Sequence, residues 1–176
     1  MLKYVLLGII QGITEFLPVS SSAHLLILQR IMGMGGNEIT LSIILHLGTA
    51  FALLIFFLKD IIRLLRNLKL LLLIILVTII TGIIGILGKD FFEGLFSSVK
   101  LVATALIFTG IILILTKRFM FSKRDNLNIK DAFVLGVTQA IAIIPGISRS
   151  GITISTLLFR KIDRELSFKF SFKSLS

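Results

Sequence analysis

The chain has 176 residues, 56% of them hydrophobic and 16% charged, with a mean hydropathy of +1.04 and a formal charge of +10. So apolar a composition excludes a soluble domain, and the lack of cysteine excludes disulfide and thiolate chemistry. The positive charge lies in short loops between apolar runs, as the positive-inside rule expects, with no aromatic or glycine-rich element beside it, so no nucleic-acid partner is expected.

Residues 1–12 are apolar, but an acid and a proline follow where a cleavage site needs small residues, so no cleavable signal peptide is expected. The stretch 4–17 is apolar apart from Gln11, Thr14 and Glu15. At roughly 1.5 Å per residue it is too short to cross a bilayer. Pro18 ends it, because proline lacks an N–H and clashes with the preceding turn. Ser20, Ser21 and Ser22 are predicted to cap a second half-helix over 22–31. Two short halves around a polar break read as a re-entrant hairpin, 4–31, since irregular backbone at membrane depth must line a protected or wet cavity. A glycine-rich turn follows at 33–37. Full transmembrane spans are predicted at 41–58, 70–88 and 101–116. The loop 59–69 is basic, 89–100 is mixed, and 117–131 is basic again. Residues 132–144 form another short apolar half, ended at Pro145 and Gly146. Ser148 to Ser150 are predicted to cap its return, which gives a second re-entrant hairpin, 132–159. Arg160, Lys161 and Arg164 then open the last part, 160–176. The two basic loops hold nine Lys and Arg against three at 30–38 and 89–100, so the basic loops are expected in the cytoplasm.

Shifting the chain by 128 residues lays Leu7, Gly8, Gln11, Ile13, Ser20 and Ser22 on Leu135, Gly136, Gln139, Ile141, Ser148 and Ser150, with Pro18 and Pro145 one place out of step. Three spans separate the two copies, and an odd number inverts the second. The predicted fold is therefore an all-α polytopic membrane protein of one domain, 1–176. It is an inverted-topology repeat whose broken helices meet near the midplane.

Ionisable groups at that depth are costly and usually functional. Arg149 is a permanent cation with a forked donor set that matches phosphate, flanked by the hydroxyls of Ser148 and Ser150 and a helix N-terminus. The bland alternative is a buried pair with Glu15. Gln11 and Glu15 lie four apart on one helical face. They suit either a hard divalent ion or, at Glu15, a general base. Ser21 and His24 lie one turn apart and suit a nucleophile and its base. His46, alone in LHLGTA, reads as structural.

EFLPVSSSAH, ending at His24, and PGISRSGIT, ending at Thr153, resemble the two signature segments of the bacterial undecaprenyl-diphosphate phosphatases, also called bacitracin-resistance proteins. Gln11 and Glu15 fit the first motif in its glutamine form, and the second fits in full. The resemblance runs to about Phe172. It implies hydrolysis of a polyprenyl diphosphate lipid in the bacterial plasma membrane, with the site opening to the outer face and membrane lipid as surroundings. The lipid carrier for peptidoglycan would thereby be recycled and bacitracin resisted. It also implies a divalent metal, Mg²⁺ or Ca²⁺, on Gln11 and Glu15. Glu15, Ser21, His24 and Arg149 would be catalytic, and Ser20, Ser148, Arg149, Ser150 and Thr153 would bind the substrate phosphate. A homodimer is left open. Two departures stand out: Gln11 replaces a carboxylate of many members, and members continue for several spans past a segment like 166–172. The chain is thus expected to be C-terminally truncated.

The mechanism expected from these residues is attack by Ser21 with His24 taking its proton; in a second version His24 attacks. The rival is a transporter or flippase for a lipid phosphate, since inverted repeats with broken helices also suit carriers.

Overall fold

The computed structural model describes residues 1–34, 38–95, 98–119, 121 and 124–175. Among them the regular structure is helical, with one isolated bridge between Arg124 and Ile162. The first pair of helices is α1 (Leu2–Phe16) and α2 (Ser21–Ile31), packed on each other across the break at Pro18. Most of the glycine-rich turn expected at 33–37 lies outside the described residues, as do parts of the loops 89–100 and 117–131. Next come α3 (Glu38–Phe56), α4 (Leu58–Leu65), α5 (Leu68–Leu87), α6 (Lys89–Leu95) and α7 (Val99–Thr116), which runs on as a single 3₁₀ turn to Phe119. The second pair is α8 (Ile129–Ile141) and α9 (Arg149–Phe159), followed by α10 (Arg164–Leu175).

Among the described residues three helices are long and apolar enough to cross a membrane, at Ile39–Phe56, Leu68–Leu87 and Val99–Phe119. They are the three expected spans with ends moved by a few residues. Two stretches expected as loops are helical in part, with α4 overlapping 59–69 from Leu58 and α6 within 89–100. Both carry apolar residues between their charges, and a charged turn remains helical when one flank can rest at a lipid–water boundary.

The largest interface joins α5 to α8. A glycine permits it: a Cβ on Gly136 would lie 2.8 Å from Cβ of Ile80, and Thr81 Oγ1 donates to the Gly136 carbonyl at 3.1 Å. Small residues let apolar helices approach this closely. Leu73, Val77, Leu135, Leu157 and Phe170 close the core around that contact.

α8 starts from a capping box in which the Asn128 side chain accepts from the Asp131 N–H and Asp131 accepts from the Asn128 N–H. Asp131 is fully buried and also takes Arg124 Nη2 and Arg160 Nε, the latter at 2.8 Å. Burial alone would raise the Asp131 carboxyl, but the hydrogen bonds from Arg124, the Asn128 N–H and Arg160 outweigh it and hold the group below its usual range. A lowered folded-state pKa adds stability above the unfolded value, near 4, and that stability disappears as pH falls through the folded value. Asp131→Asn is therefore expected to destabilise the fold at pH 7 by about 3 kcal/mol. This is the low end for a broken buried pair, because the two arginines are each about one third exposed, at 34% and 35%. Thermal unfolding in detergent should show that gap at pH 7 and its closing below pH 4.

α9 is the most enclosed element, with every residue from Ser150 to Leu158 buried against α7, α8 and α10. The loop before it is pressed onto α7. Gly146 has φ +100, and a Cβ there would lie 2.4 Å from the Val102 carbonyl oxygen. Thr109 of α7 donates to the Gly146 carbonyl at 3.2 Å and accepts from the Ser148 N–H at 3.2 Å. Only glycine fits that conformation and that contact.

Candidate active site

The two breaks meet. Ser150 Oγ lies 3.4 Å from the Leu17 carbonyl oxygen, and a Cβ on Gly151 would lie 3.4 Å from that of Pro18. A cavity of about 430 Å³ opens where they touch. Its polar floor comes from both hairpins, with Glu15, Ser20, Ser21 and Ser22 from the first and Ser148, Arg149 and Ser150 from the second. Its third wall is α3, which supplies Ile39, Ser42, Ile43, His46, Leu47 and Ala50. No residue of the Ile39–Phe56 span is buried, and Ile43 and Leu47 are 54% and 64% exposed. The cavity mouth is thus bordered by an apolar helix with an open flank.

Ser148 caps α9, accepting from the Gly151 N–H at 3.1 Å and sharing a proton with Ser150 Oγ at 3.2 Å. Arg149 is the first helical residue, exposed toward the cavity, and no ion pair to it occurs among the described residues. The Glu15–Arg149 pair considered from the sequence does not form. A guanidinium without a carboxylate partner, at a helix N-terminus beside two hydroxyls, has the chemistry to hold an anion.

The first hairpin supplies the other half. Glu15 Oε2 accepts from Ser21 Oγ at 2.6 Å and from Gln11 Nε2 at 2.9 Å. Gln11 Nε2 also reaches Thr49 Oγ1 at 3.3 Å. The expected serine cap is absent from α2. Ser20 occupies the N-cap position in the left-handed region, φ +62, and makes no side-chain cap bond. Its Oγ meets Ser22 Oγ at 3.3 Å instead. The turn after Pro18 is too tight for the usual extended N-cap, and strain of this kind gathers at functional sites.

Two residues, His24 and Thr153, sit apart from their expected places, and Ser21 has another partner than expected. His24 does not line the cavity; its Nδ1 lies 2.8 Å from the Ser20 carbonyl oxygen, so it braces the break. Ser21 pairs with Glu15 and faces His46, not His24. Thr153 is buried one turn down α9, where it bonds its own helix and Ser171 of α10. Gln11 is buried behind Glu15. One residue read as structural is in the cavity: His46 Nε2 lies 3.4 Å from Ser21 Oγ and 3.6 Å from Glu15 Oε2. Nothing in LHLGTA signals this, because the contact spans 25 residues and depends on how α3 packs on α1.

The donors tolerate a hard cation in one form. Among the described residues no three His, Asp or Glu side chains converge, so there is no closed protein cage. Gln11 Oε1 is a buried oxygen without a hydrogen-bond partner, on the amide whose Nε2 faces the Glu15 carboxylate. One carboxylate plus one amide oxygen suits an ion that takes its remaining ligands from water and substrate phosphate.

These features define a class: an integral membrane protein with an arginine and a serine–carboxylate pair lining one cavity between two broken helices. The sequence profile of the family described as Bacitracin resistance protein BacA matches residues 4–175. An undecaprenyl-diphosphatase of Halothermothrix orenii is 46% identical over 176 residues, covering 97% of this chain and 68% of the relative. Those of Carboxydothermus hydrogenoformans and Thermodesulfovibrio yellowstonii are 47% and 43% identical, over 95% and 97% of this chain and 66% and 67% of theirs. The chain belongs to the bacitracin resistance protein BacA family, and it spans about two thirds of the length of these relatives.

Proposed function

We propose that the chain hydrolyses undecaprenyl diphosphate to the monophosphate and inorganic phosphate, returning the lipid carrier to cell-wall synthesis and countering bacitracin. The observation that carries this reading is the 2.6 Å bond from Ser21 Oγ to Glu15, set in the same cavity as an Arg149 that has no ion pair among the described residues. Ser21 Oγ attacks the terminal phosphorus, and its proton passes to Glu15 Oε2. The bond from that phosphorus to the bridging oxygen breaks, and the lipid monophosphate leaves. Glu15 hands that proton to the leaving monophosphate. Water then attacks the phosphoserine, Glu15 takes its proton and returns it to Ser21 Oγ as the P–O bond breaks, and inorganic phosphate leaves. Arg149 and the N–H groups opening α9 neutralise the phosphoryl oxygens as charge builds on them. Ser20, Ser148 and Ser150 add hydroxyl donors. His24 keeps the first break in shape in this scheme. A divalent ion, Mg²⁺ or Ca²⁺, would be held by Glu15 and Gln11 Oε1 and would supply further charge neutralisation on the diphosphate. A carrier needs the cradle but not the Ser21–Glu15 pair, which is why the hydrolase is favoured over a flippase. The test is release of inorganic phosphate from undecaprenyl diphosphate by purified protein in detergent. Lipid movement across liposomes without any phosphate release would favour the carrier.

We place the protein in the bacterial plasma membrane, with both hairpins re-entrant and the cavity mouth toward the outer face. Asn126 and Glu93, both exposed, report the two sides. In cells, an impermeant thiol reagent should label Glu93→Cys and spare Asn126→Cys, and the reverse pattern would invert the topology.

A further inference from the structure

The Ser21 hydroxyl has one proton and two acceptors within reach, Glu15 Oε2 at 2.6 Å and His46 Nε2 at 3.4 Å. His46 is itself held. Its Nδ1 lies 2.7 Å from the Ser42 carbonyl oxygen, which can only accept, so Nδ1 carries the proton of the neutral ring. That bond aims Nε2 into the gap between Ser21 and Glu15. Behind it, buried Gln29 of α2 donates to Ser42 Oγ at 3.1 Å, tying the start of α3 to the first hairpin. On the far side Gln11 bridges Glu15 to Thr49, one turn further along α3. Three polar groups of α3, Ser42, His46 and Thr49, therefore fall on one stripe, and each end of the stripe is anchored on the hairpin. A stripe of this kind on an otherwise apolar span needs a purpose, because each polar group costs free energy in hydrocarbon.

We infer that His46 is a positioning residue for the reaction. From α3, Nε2 confines the Ser21 hydroxyl to the arc between itself and Glu15, which leaves the serine lone pairs facing the cavity and its phosphate. This rests on the reading of Ser21 as nucleophile. The role belongs to hydrogen-bonding capacity at the Nε2 position, not to the imidazole as such. A glutamine amide reaches the same point and can bond the same hydroxyl. Leucine fills the space and offers nothing.

The test compares His46→Leu, His46→Gln and Ser21→Ala in the full chain, with kcat and KM for phosphate release and the melting temperature of each. The expected result is a fall of about 10²-fold in kcat for His46→Leu, the usual size of an effect from a misplaced reacting group, with KM within about threefold of wild type. His46→Gln should recover most of the loss, to within about tenfold of wild type. Full kcat in His46→Leu overturns the inference. So does a loss confined to KM, which assigns His46 to substrate binding, and so does a His46→Gln variant as poor as His46→Leu, which requires the imidazole itself. Ser21→Ala separates this from failure of the underlying reading. If Ser21→Ala stays active, the nucleophile is elsewhere and both fall. If Ser21→Ala is inactive while His46→Leu is normal, only the role of His46 falls.

Discussion

Arg149→Lys is expected to lower kcat/KM for phosphate release by about 10²–10³-fold, the usual cost of removing one preorganised donor from a developing oxyanion. Both residues keep the positive charge, so the loss isolates geometry. A guanidinium presents two parallel N–H bonds to two phosphoryl oxygens, and an ammonium on a flexible stem presents a point charge. The fold should be indifferent, because Arg149 forms no ion pair among the described residues and its side chain is exposed toward the cavity. Melting temperature is thus the built-in control, and an unchanged value with lost turnover is the expected pair of readings. Near-normal turnover in the lysine variant would remove the clamp from the mechanism.

Ser21→Ala should be more severe, at least about 10³-fold, because no atom remains to form the covalent bond. Glu15→Gln should cost about 10²–10⁴-fold as a lost general base. The double variant should be hardly worse than Ser21→Ala alone, since residues that act as a unit are strongly non-additive. His24→Ala should be milder, because His24 contacts the backbone of Ser20 and does not line the cavity. Quenching the enzyme during turnover gives an independent view. Phosphoserine survives acid and phosphohistidine does not, so an acid-stable phosphoenzyme absent from Ser21→Ala is expected. An acid-labile one that disappears in His24→Ala would move the nucleophile to the histidine.

The breaks at Pro18 and Pro145 were legible in the sequence because proline, serine and glycine act locally and announce themselves. So were the three spans, whose signal is sheer apolar length. Arg149 stood out because a permanent charge among apolar helices is costly and is seldom kept without a task. The pairings were harder. Sequence spacing favours His24 for Ser21, one turn away, yet the left-handed Ser20 turns that ring onto the backbone and leaves Ser21 to Glu15. His46 arrives from another helix, and no local pattern encodes how α3 lies on α1. Thr153 matches the motif, but motif membership does not say which way a side chain faces. Its hydroxyl serves the contact of α9 with α10.

The apolar flank of α3 beside the cavity mouth has a kinetic corollary. If the phosphate enters past Ile43 and Leu47 while the isoprenoid stays in the bilayer, encounter between enzyme and substrate is a two-dimensional search. Turnover should then follow the mole fraction of diphosphate among the lipids, not its bulk molarity. Adding inert phospholipid or detergent at constant total substrate should slow the reaction by dilution in the plane alone. A KM for this enzyme acquires meaning only as a surface fraction, and values from micelles of different size should agree once written that way.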